Sequence, residues 1–354
     1  MNNMEEKRPI FQKKNALVTG GAGFVGSHIC DELIKEYKVI CVDNFSTGSI
    51  ENISHLLQYP DFKFIKHDIT EPLDLEQYPE LGPFKVKFQG VQEIYNTACP
   101  TAPKDYNAFP VETLFANSLG VKNMLDIAVR YQAKLLHLST SAIYGEPNEG
   151  EAFPEEYWGF IDPIGPRSCY NEGKRFAESL IVNYRNVYGI DAKIARMFNT
   201  YGPRMKLTDG RMMPDFINQA LDGKPITIHG VPDSKSTFLY ITDFIEGIMK
   251  FMKSKEPGPL NFGNPQIVST LGVAKKIIEM TNSSSKIEFA EPLPHTVRQG
   301  IPDISNAKER LSWFPVIDLE GGLSRTIDYM RGNKFVHKAG EESPEEFKRD
   351  YSKE

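Results

Sequence analysis

Tyr170 and Lys174 stand four residues apart in the stretch Arg167 to Tyr188, whose apolar spacing predicts a helix, so both side chains fall on one face. An ammonium beside a phenol favours the phenolate and lowers its pKa toward neutrality. Such a phenol can take the proton of a carbinol while hydride leaves to an acceptor, and the lysine can also bond the acceptor's ribose. Thr140, at the C-terminal end of the predicted strand Lys134 to Leu138, supplies a hydroxyl to orient the same substrate oxygen. A Tyr-x-x-x-Lys pair is common by chance and gains meaning only if a hydride acceptor is bound beside it.

The acceptor is signalled by Asn15-Ala-Leu-Val-Thr-Gly-Gly-Ala-Gly-Phe-Val-Gly26. Ala16 to Val18 form a short aliphatic run bounded by glycine, which reads as a buried strand, and Val25, Ile29 and Leu33 then recur at helical spacing. Gly20, Gly23 and Gly26 between them permit a tight turn, close backbone approach to a pyrophosphate and close helix packing, with the helix N-terminus favouring the anion. The next strand, Lys38 to Val42, leads into Asp43, placed to take the adenosine ribose hydroxyls. A carboxylate there repels a 2′-phosphate, and no Arg or Lys lies between Asp43 and Glu51 to neutralise one, so NAD is expected over NADP.

The elements that position these groups alternate. After Asp43 come a turn-rich loop, a helical stretch to about Leu57, and a third strand, Phe62 to Lys66, leading to His67-Asp68. Asp68 lies at the strand edge where open parallel sheets bind ligands; it is either an adenine contact or a helix cap. Glu71 to Gly90 is rich in Pro, Gly and charge and reads as a surface excursion, with a short hairpin through Phe84 to Phe88. A fourth strand, Val91 to Ala98, precedes the rigid, ligand-lining loop Cys99 to Pro103 and a helix from Val111 to Tyr131. Lys134 to Leu138 is a fifth strand, and a sixth, Ala192 to Phe198, follows the Tyr170 helix. Strand–helix alternation of this kind predicts an α/β fold with a doubly wound parallel sheet. Pro147 to Pro166, with its prolines and Trp158, reads as a long ordered cover. Beyond Gly202 the alternation fades into a smaller C-terminal α/β lobe. Residues 1–200 are therefore expected to form the dinucleotide domain and 201–334 mainly the substrate lobe, with 335–354 a charged tail, frayed or disordered.

The 354 residues, 40% hydrophobic and 25% charged, are those of an ordinary soluble globule. A net charge of −6 offers no basic footprint for nucleic acid. The first fifteen residues lack a signal-peptide apolar core, and no uncharged apolar run reaches membrane-spanning length, so a cytoplasmic protein away from membranes is expected. Cys30, Cys41, Cys99 and Cys169 are scattered without CxxC or His pairing, which points to reduced thiols and no structural metal.

With these motifs in hand, the chain resembles the extended short-chain dehydrogenases/reductases that modify nucleotide sugars, the NAD-dependent epimerase/dehydratase group, and among them the UDP-glucuronate decarboxylases (UDP-xylose synthases). The likeness is carried nearly end to end by Leu17 to His28, Val42 to Phe45, His67-Asp68, Tyr157 to Gly159, Pro163 to Arg167, Cys169-Tyr170, Glu172 to Arg175, Phe198-Asn199, Gly202 to Met205, Asp209-Gly-Arg211 and Gly263 to Pro265. It implies a Rossmann sheet and a catalytic set of Thr140, Tyr170 and Lys174 that oxidises the sugar at C4. It implies NAD held by Gly20, Gly23, Phe24, Val25, Gly26, Asp43, Asn44, Asp68 and Ile69 with Tyr170 and Lys174. A UDP-sugar substrate would meet Pro100, Ser141, Asn199, Arg204, Arg211 and Arg298, and a homodimer would pair the helices near Val111 to Tyr131 and Arg167 to Tyr188.

Two positions depart from that pattern. The decarboxylases and 4,6-dehydratases carry a motif resembling Thr-Ser-Glu or Thr-Asp-Glu before Val-Tyr-Gly, whereas this chain reads Thr140-Ser-Ala-Ile-Tyr-Gly145. Ala142 has nothing to ionise, and loss of acid/base assistance costs on the order of 10²-fold or more. The family arginine of an Arg-x-Phe segment is here Ser236, with Lys235 beside it as a point charge. Leu75 to Gly90 reads as an insertion. Three readings stay open: a UDP-glucuronate decarboxylase, a C4-epimerase or C4-dehydrogenase of the same substrates, and a catalytically silent NAD-binding protein.

Overall fold

The computed structural model describes residues 10–146, 152–207, 210–231, 234–292 and 300–341, with 335–341 as backbone alone. Seven parallel strands form the central sheet: β1 (Asn15–Thr19), β2 (Lys38–Asp43), β3 (Phe62–Lys66), β4 (Glu93–Asn96), β5 (Lys134–Thr140), β6 (Ala192–Met197) and β7 (Leu260–Phe262). Their order is β7-β6-β5-β4-β1-β2-β3. The chain reverses its winding between β1 and β4, where Val18 pairs with Tyr95, and a crevice opens there above the strand C-termini. Every residue of β1 and β2 is buried, as continuous aliphatic strands covered on both faces must be.

The two faces bury different partners. Ala16 and Val18 face one core, shared with α1 (Phe24–Leu33), and the intervening Leu17 faces the other. That second core is closed by α3 (Val121–Tyr131) and α4 (Ser168–Tyr188), through Met124, Leu125, Ala177 and Ile181. The first core runs on into the C-terminal part of the chain: Met213 and Phe216 of α5 (Met212–Leu221), Phe244 of α6 (Ile241–Lys253), Phe262 of β7 and Trp313 belong to it. β7 and α6 thus pack in the main sheet layer although both lie beyond residue 200.

The surface excursion and hairpin expected in Glu71–Gly90 are not what forms. Helical turns at Leu75–Gln77, Pro79–Phe84 and Val86–Gln89 replace the hairpin, and Leu75, Leu81, Phe84 and Val86 are buried against Leu17, Ile40 and Ile94. Prolines 79 and 83 suit short turns that need few N–H donors. The buried side chain of Asn15 pins the segment by donating to the carbonyls of Phe84 (2.9 Å) and Gly90 (2.7 Å). The helix expected over Val111 to Tyr131 is divided into α2 (Pro110–Phe115), a wide turn at Ala116–Gly120, and α3. Residues 99–102 form the expected loop along the cavity, and a further short helix, Pro103–Ala108, follows it, with Pro103 and Pro110 each in a first-turn position. The C-terminal lobe adds α7 (Thr270–Thr281) and α8 (Leu319–Glu341), so the tail expected from 335 starts inside a helix.

Candidate active site

The crevice between β1 and β4 deepens into a cavity of about 700 Å³. At one end the chain leaves β1 through Gly20 at φ +66°, and the N–H of Gly23 closes the turn on the Gly20 carbonyl at 3.0 Å. A Cβ on Gly26 would stand 2.1 Å from that carbonyl oxygen, so only glycine lets α1 start so close to the strand. A Cβ on Gly23 would meet only the Gly20 oxygen at 3.1 Å, since this residue opens on the cavity. α1 begins there with no side-chain cap and no acidic residue in its first turn, leaving its N-terminal N–H groups and dipole for an anion.

Asp43, buried at the end of β2, accepts from the N–H groups of Ala22 (3.0 Å) and Phe45 (2.8 Å). Burial raises its pKa, while those two bonds and the charge of Lys206 oppose the shift. A cation does bear on this carboxylate from outside Asp43 to Glu51: Lys206, in the chain beyond β6, lines the same cavity. Of the two roles left open for Asp68, the structure gives a cap, on a turn rather than a helix. Its carboxylate caps the following turn by accepting from Thr70 N (2.9 Å) and Oγ1 (2.8 Å), takes Asn44 Nδ2 at 2.8 Å, and also lines the cavity. Burial pushes this carboxyl up, but the three bonds outweigh it and hold it below the usual carboxylate range.

At the other end α4 presents Tyr170 and Lys174, 7% and 3% exposed. Lys174 Nζ donates to the Leu138 carbonyl of β5 at 2.7 Å. The Tyr170 hydroxyl bonds to Thr140, whose Oγ1 also accepts from Ala142 N at 3.2 Å. The ring of Tyr106 stacks on Tyr170 at 5.1 Å with an 11° interplanar angle. Arg211 Nη2 donates to Thr101 Oγ1 at 3.0 Å, and its charge reaches Tyr170. The expected lowering of the phenol pKa is not produced by the chain alone. Burial raises Tyr170, with Cys99 and Tyr106 adding to it and Thr140 and Arg211 opposing, while Lys174 is spent on a carbonyl. Burial likewise lowers Lys174, against the pull of Cys99 and Glu178.

The cavity walls collect Gly20, Gly23, Phe24, Val25, Gly26, Asp43, Asn44, Asp68, Ile69, Pro100, Tyr170, Lys174, Arg204 and Arg211. The two arginines part company: Arg204 pairs with Asp31 of α1 at 2.6 Å, whereas Arg211 stands by Tyr170. The Nη1 of Arg204 is buried with no protein partner among the described residues, an unspent donor on the α1 side. Ser141 and Asn199 stand outside these walls, Asn199 donating to Ser236 Oγ at 3.1 Å, and Arg298 lies outside the described residues. Tyr329 and Asn333 of α8 also line the cavity, one helical turn apart. Of the expected cover, residues 152–166 contribute nothing to the walls. Trp158 and Phe160 are 91% and 85% exposed, and the Trp158 carbonyl accepts from Arg175 at 3.0 Å on the outside of α4.

Residues 16–263 match the model of the NAD dependent epimerase/dehydratase family. The chain belongs to this family. This family member is 42% identical to UDP-glucuronic acid decarboxylase 5 of Arabidopsis thaliana over 91% of both chains. It is equally identical to UDP-glucuronic acid decarboxylase 1 of Xenopus tropicalis, over 90% of this chain and 72% of that one. Among solved structures it resembles UDP-glucose 4-epimerase of Thermotoga maritima with UDP-glucose (TM-score 0.79, 27% identity, 90% of this chain and 99% of that one). It also resembles UDP-glucuronic acid 4-epimerase of Bacillus cereus with UDP-glucuronic acid and NAD (TM-score 0.78, 28% identity, the same coverage). NAD is the family's cofactor, and the glycine cradle, the uncapped start of α1 and Asp43 fit a dinucleotide. Among the described residues no three His, Cys, Asp or Glu side chains are grouped to hold a metal, and no helix is long and apolar enough to cross a membrane.

Proposed function

We propose that the chain uses NAD to oxidise UDP-glucuronate at C4, releases CO2 and forms UDP-xylose. The observation that carries this reading is a single cavity with a dinucleotide cradle at one end and Tyr170 and Lys174 at the other, Tyr170 bonded to Thr140 behind the wall, in a chain 42% identical to UDP-glucuronic acid decarboxylases. Bound NAD supplies a hydride acceptor for C4 that later returns the same hydride. Tyr170, oriented by Thr140, takes the C4 hydroxyl proton as the C–H bond breaks. Lys174 and Arg211 supply the positive field that the buried phenolate needs. The resulting ketone is β to the C6 carboxylate, so the C5–C6 bond breaks with its electron pair delocalised onto the C4 oxygen, and CO2 leaves. The protonated Tyr170 faces that enolate oxygen and donates to it. C5 then takes a proton from water, the one proton the net reaction consumes, and Tyr170 returns its own to C4–O as the ketone is reduced.

C4-epimerisation of the same substrate is the second reading, favoured by Ala142, which packs among Cys99, Tyr106, Cys169 and Tyr170 without offering an acid for C5. We assign the substrate contacts to Pro100 and Arg211 first, with residues 201–334 mainly forming the sugar-nucleotide lobe. A homodimer joined through α2 and α4 fits the exposed Val111, Leu114, Phe115 and Phe176 on these adjoining helices.

The test is incubation with UDP-glucuronate and NAD, with products followed by mass and NMR. CO2 loss and UDP-xylose support the first reading, and UDP-galacturonate supports the second. NAD binding with no turnover of either, and no difference between wild type and Tyr170→Phe, refutes both.

A further inference from the structure

On α4 the polar stripe does not stop at Lys174. Glu178 follows one turn later, so Tyr170, Lys174 and Glu178 succeed one another at i, i+4 and i+8 on nearly one face. The carboxylate is fully engaged: Ser139 Oγ donates to Oε1 at 2.5 Å, Arg196 Nε to the same oxygen at 3.0 Å, and Arg196 Nη2 to Oε2 at 2.7 Å. The side chains of Arg196 and Glu178 are 10% and 12% exposed. Ser139 is the residue after Leu138, whose carbonyl holds Lys174, and Ser139 also lines the cavity. Two consecutive residues of β5 therefore grip two consecutive turns of α4, one through its carbonyl and the other through its hydroxyl.

We propose that Glu178, clamped by Ser139 and Arg196, is a positioning residue that keeps Lys174 an ammonium on the Leu138 carbonyl, ready to act on Tyr170. An ammonium this deeply buried needs a counter-charge, because desolvation favours the neutral amine. The groups that bear on it are few. From β5 come the Leu138 carbonyl and His137, which burial and Lys174 itself hold neutral. From the loop after β4 comes the Cys99 thiol, which burial keeps protonated. From α4 come Tyr170 and Glu178, and Arg196 of β6 lies on the carboxylate. Glu178 is the carboxylate of this set, one helical turn from Lys174, and its charge opposes the desolvation of Lys174. The paired guanidinium fixes the carboxylate's geometry, with Arg196 itself anchored on Tyr144 Oη (2.8 Å) and the Glu155 carbonyl (2.7 Å).

The inference rests on the proposed roles of Tyr170 and Lys174 but not on the identity of the sugar. Its test is the alkaline titration of Tyr170 in the NAD-bound protein, read as phenolate absorbance of each protein minus that of its Tyr170→Phe counterpart. Glu178→Gln is expected to raise the midpoint by about one pH unit, and Ser139→Ala to raise it by less. In a Lys174→Met background both shifts should vanish. Should Glu178→Gln leave Arg196 uncompensated and fail to fold, Ser139→Ala carries the test. If Lys174→Met moves the midpoint and neither other variant does, the role of Glu178 is refuted and the Tyr170–Lys174 reading survives. If Lys174→Met leaves Tyr170 unmoved, both fall together, as they do if either shift persists undiminished without Lys174 and Lys174→Met is silent. A shift that persists while Lys174→Met acts refutes the proposed route alone.

Discussion

Gly26→Ala is the sharpest perturbation of the cofactor cradle. Its Cβ would stand 2.1 Å from the Gly20 oxygen and 2.8 Å from both the Gly20 carbonyl carbon and Gly21 Cα. Comfortable contact requires roughly 3.5 Å, so α1 and the turn must separate by more than 1 Å, and no flexible side chain is there to yield. Overpacking of this kind costs about 1–3 kcal/mol. The same displacement pulls the N-terminal N–H groups of α1 away from a pyrophosphate. A loss of roughly 2 kcal/mol in binding corresponds to about a 30-fold rise in the dissociation constant for NAD. Gly23→Ala is the control, because its Cβ meets protein only at 3.1 Å and otherwise projects toward the cavity. Isothermal titration with NAD and thermal unfolding of the NAD-free protein separate the two. Gly26→Ala should lose both affinity and several degrees of melting temperature; Gly23→Ala should lose affinity with a melting temperature close to wild type. Wild-type NAD affinity in Gly26→Ala would refute the cradle reasoning.

Tyr170→Phe should lower turnover by about 10²- to 10⁴-fold while leaving the NAD dissociation constant within twofold, measured by product NMR and titration. Asp43→Asn should weaken NAD about tenfold and narrow the preference for NAD over NADP, since the repulsive carboxylate is lost and Lys206 stays; an unchanged ratio of the two affinities would count against it. His28 is held neutral, its pKa lowered to about 4 by burial and then by Arg204. Below the unfolded value near 6.5 the unfolded chain takes up a proton that the folded one refuses, so stability present above pH 6.5 is lost as pH falls toward 4, by up to roughly 3 kcal/mol. Urea unfolding of wild type and His28→Gln at both ends of that window should show the larger loss in wild type. If the proposed dimer forms through α2 and α4, Phe176→Glu, on the exposed face of α4, should run as a monomer on a sizing column where wild type runs as a dimer, with the far-ultraviolet spectrum intact.

What could be read from residue order follows from range. Gly20 to Gly26 and Asp43 act through backbone geometry within one strand–turn–helix unit, and Tyr170 and Lys174 through one helical turn, so their types and spacing carried the meaning. Lys206, Tyr329 and Asn333 reach the cavity only because a distant lobe folds over it, and no local pattern marks them. Leu75 to Gly90 misled because prolines and charges, which mark loops, here punctuate helical turns whose Leu81 and Phe84, three apart, point inward. Trp158 misled in the opposite sense: aromatic residues suggested a cover, yet the loop is held to the outside of α4 through the bond from Arg175 to its carbonyl. Glu178 was legible in principle, as a third polar residue continuing a stripe among buried Ala177 and Ile181.

The loop at Pro203 to Leu207 ties the two parts of the molecule together at the cofactor: Arg204 pairs with Asp31, the Pro203 carbonyl meets His28 Nε2 at 3.1 Å, and Lys206 leans toward Asp43. One wall of the dinucleotide pocket thus belongs to each part, above a hydrophobic core they share. Occupancy and closure are therefore thermodynamically linked. At a hundred times its dissociation constant NAD adds about 2.7 kcal/mol to the folded state, and because both walls hold it, that increment stabilises their docking as well as either alone. A cofactor that is regenerated in place of being released would act as a resident rivet, making the saturated enzyme unfold as a single cooperative body.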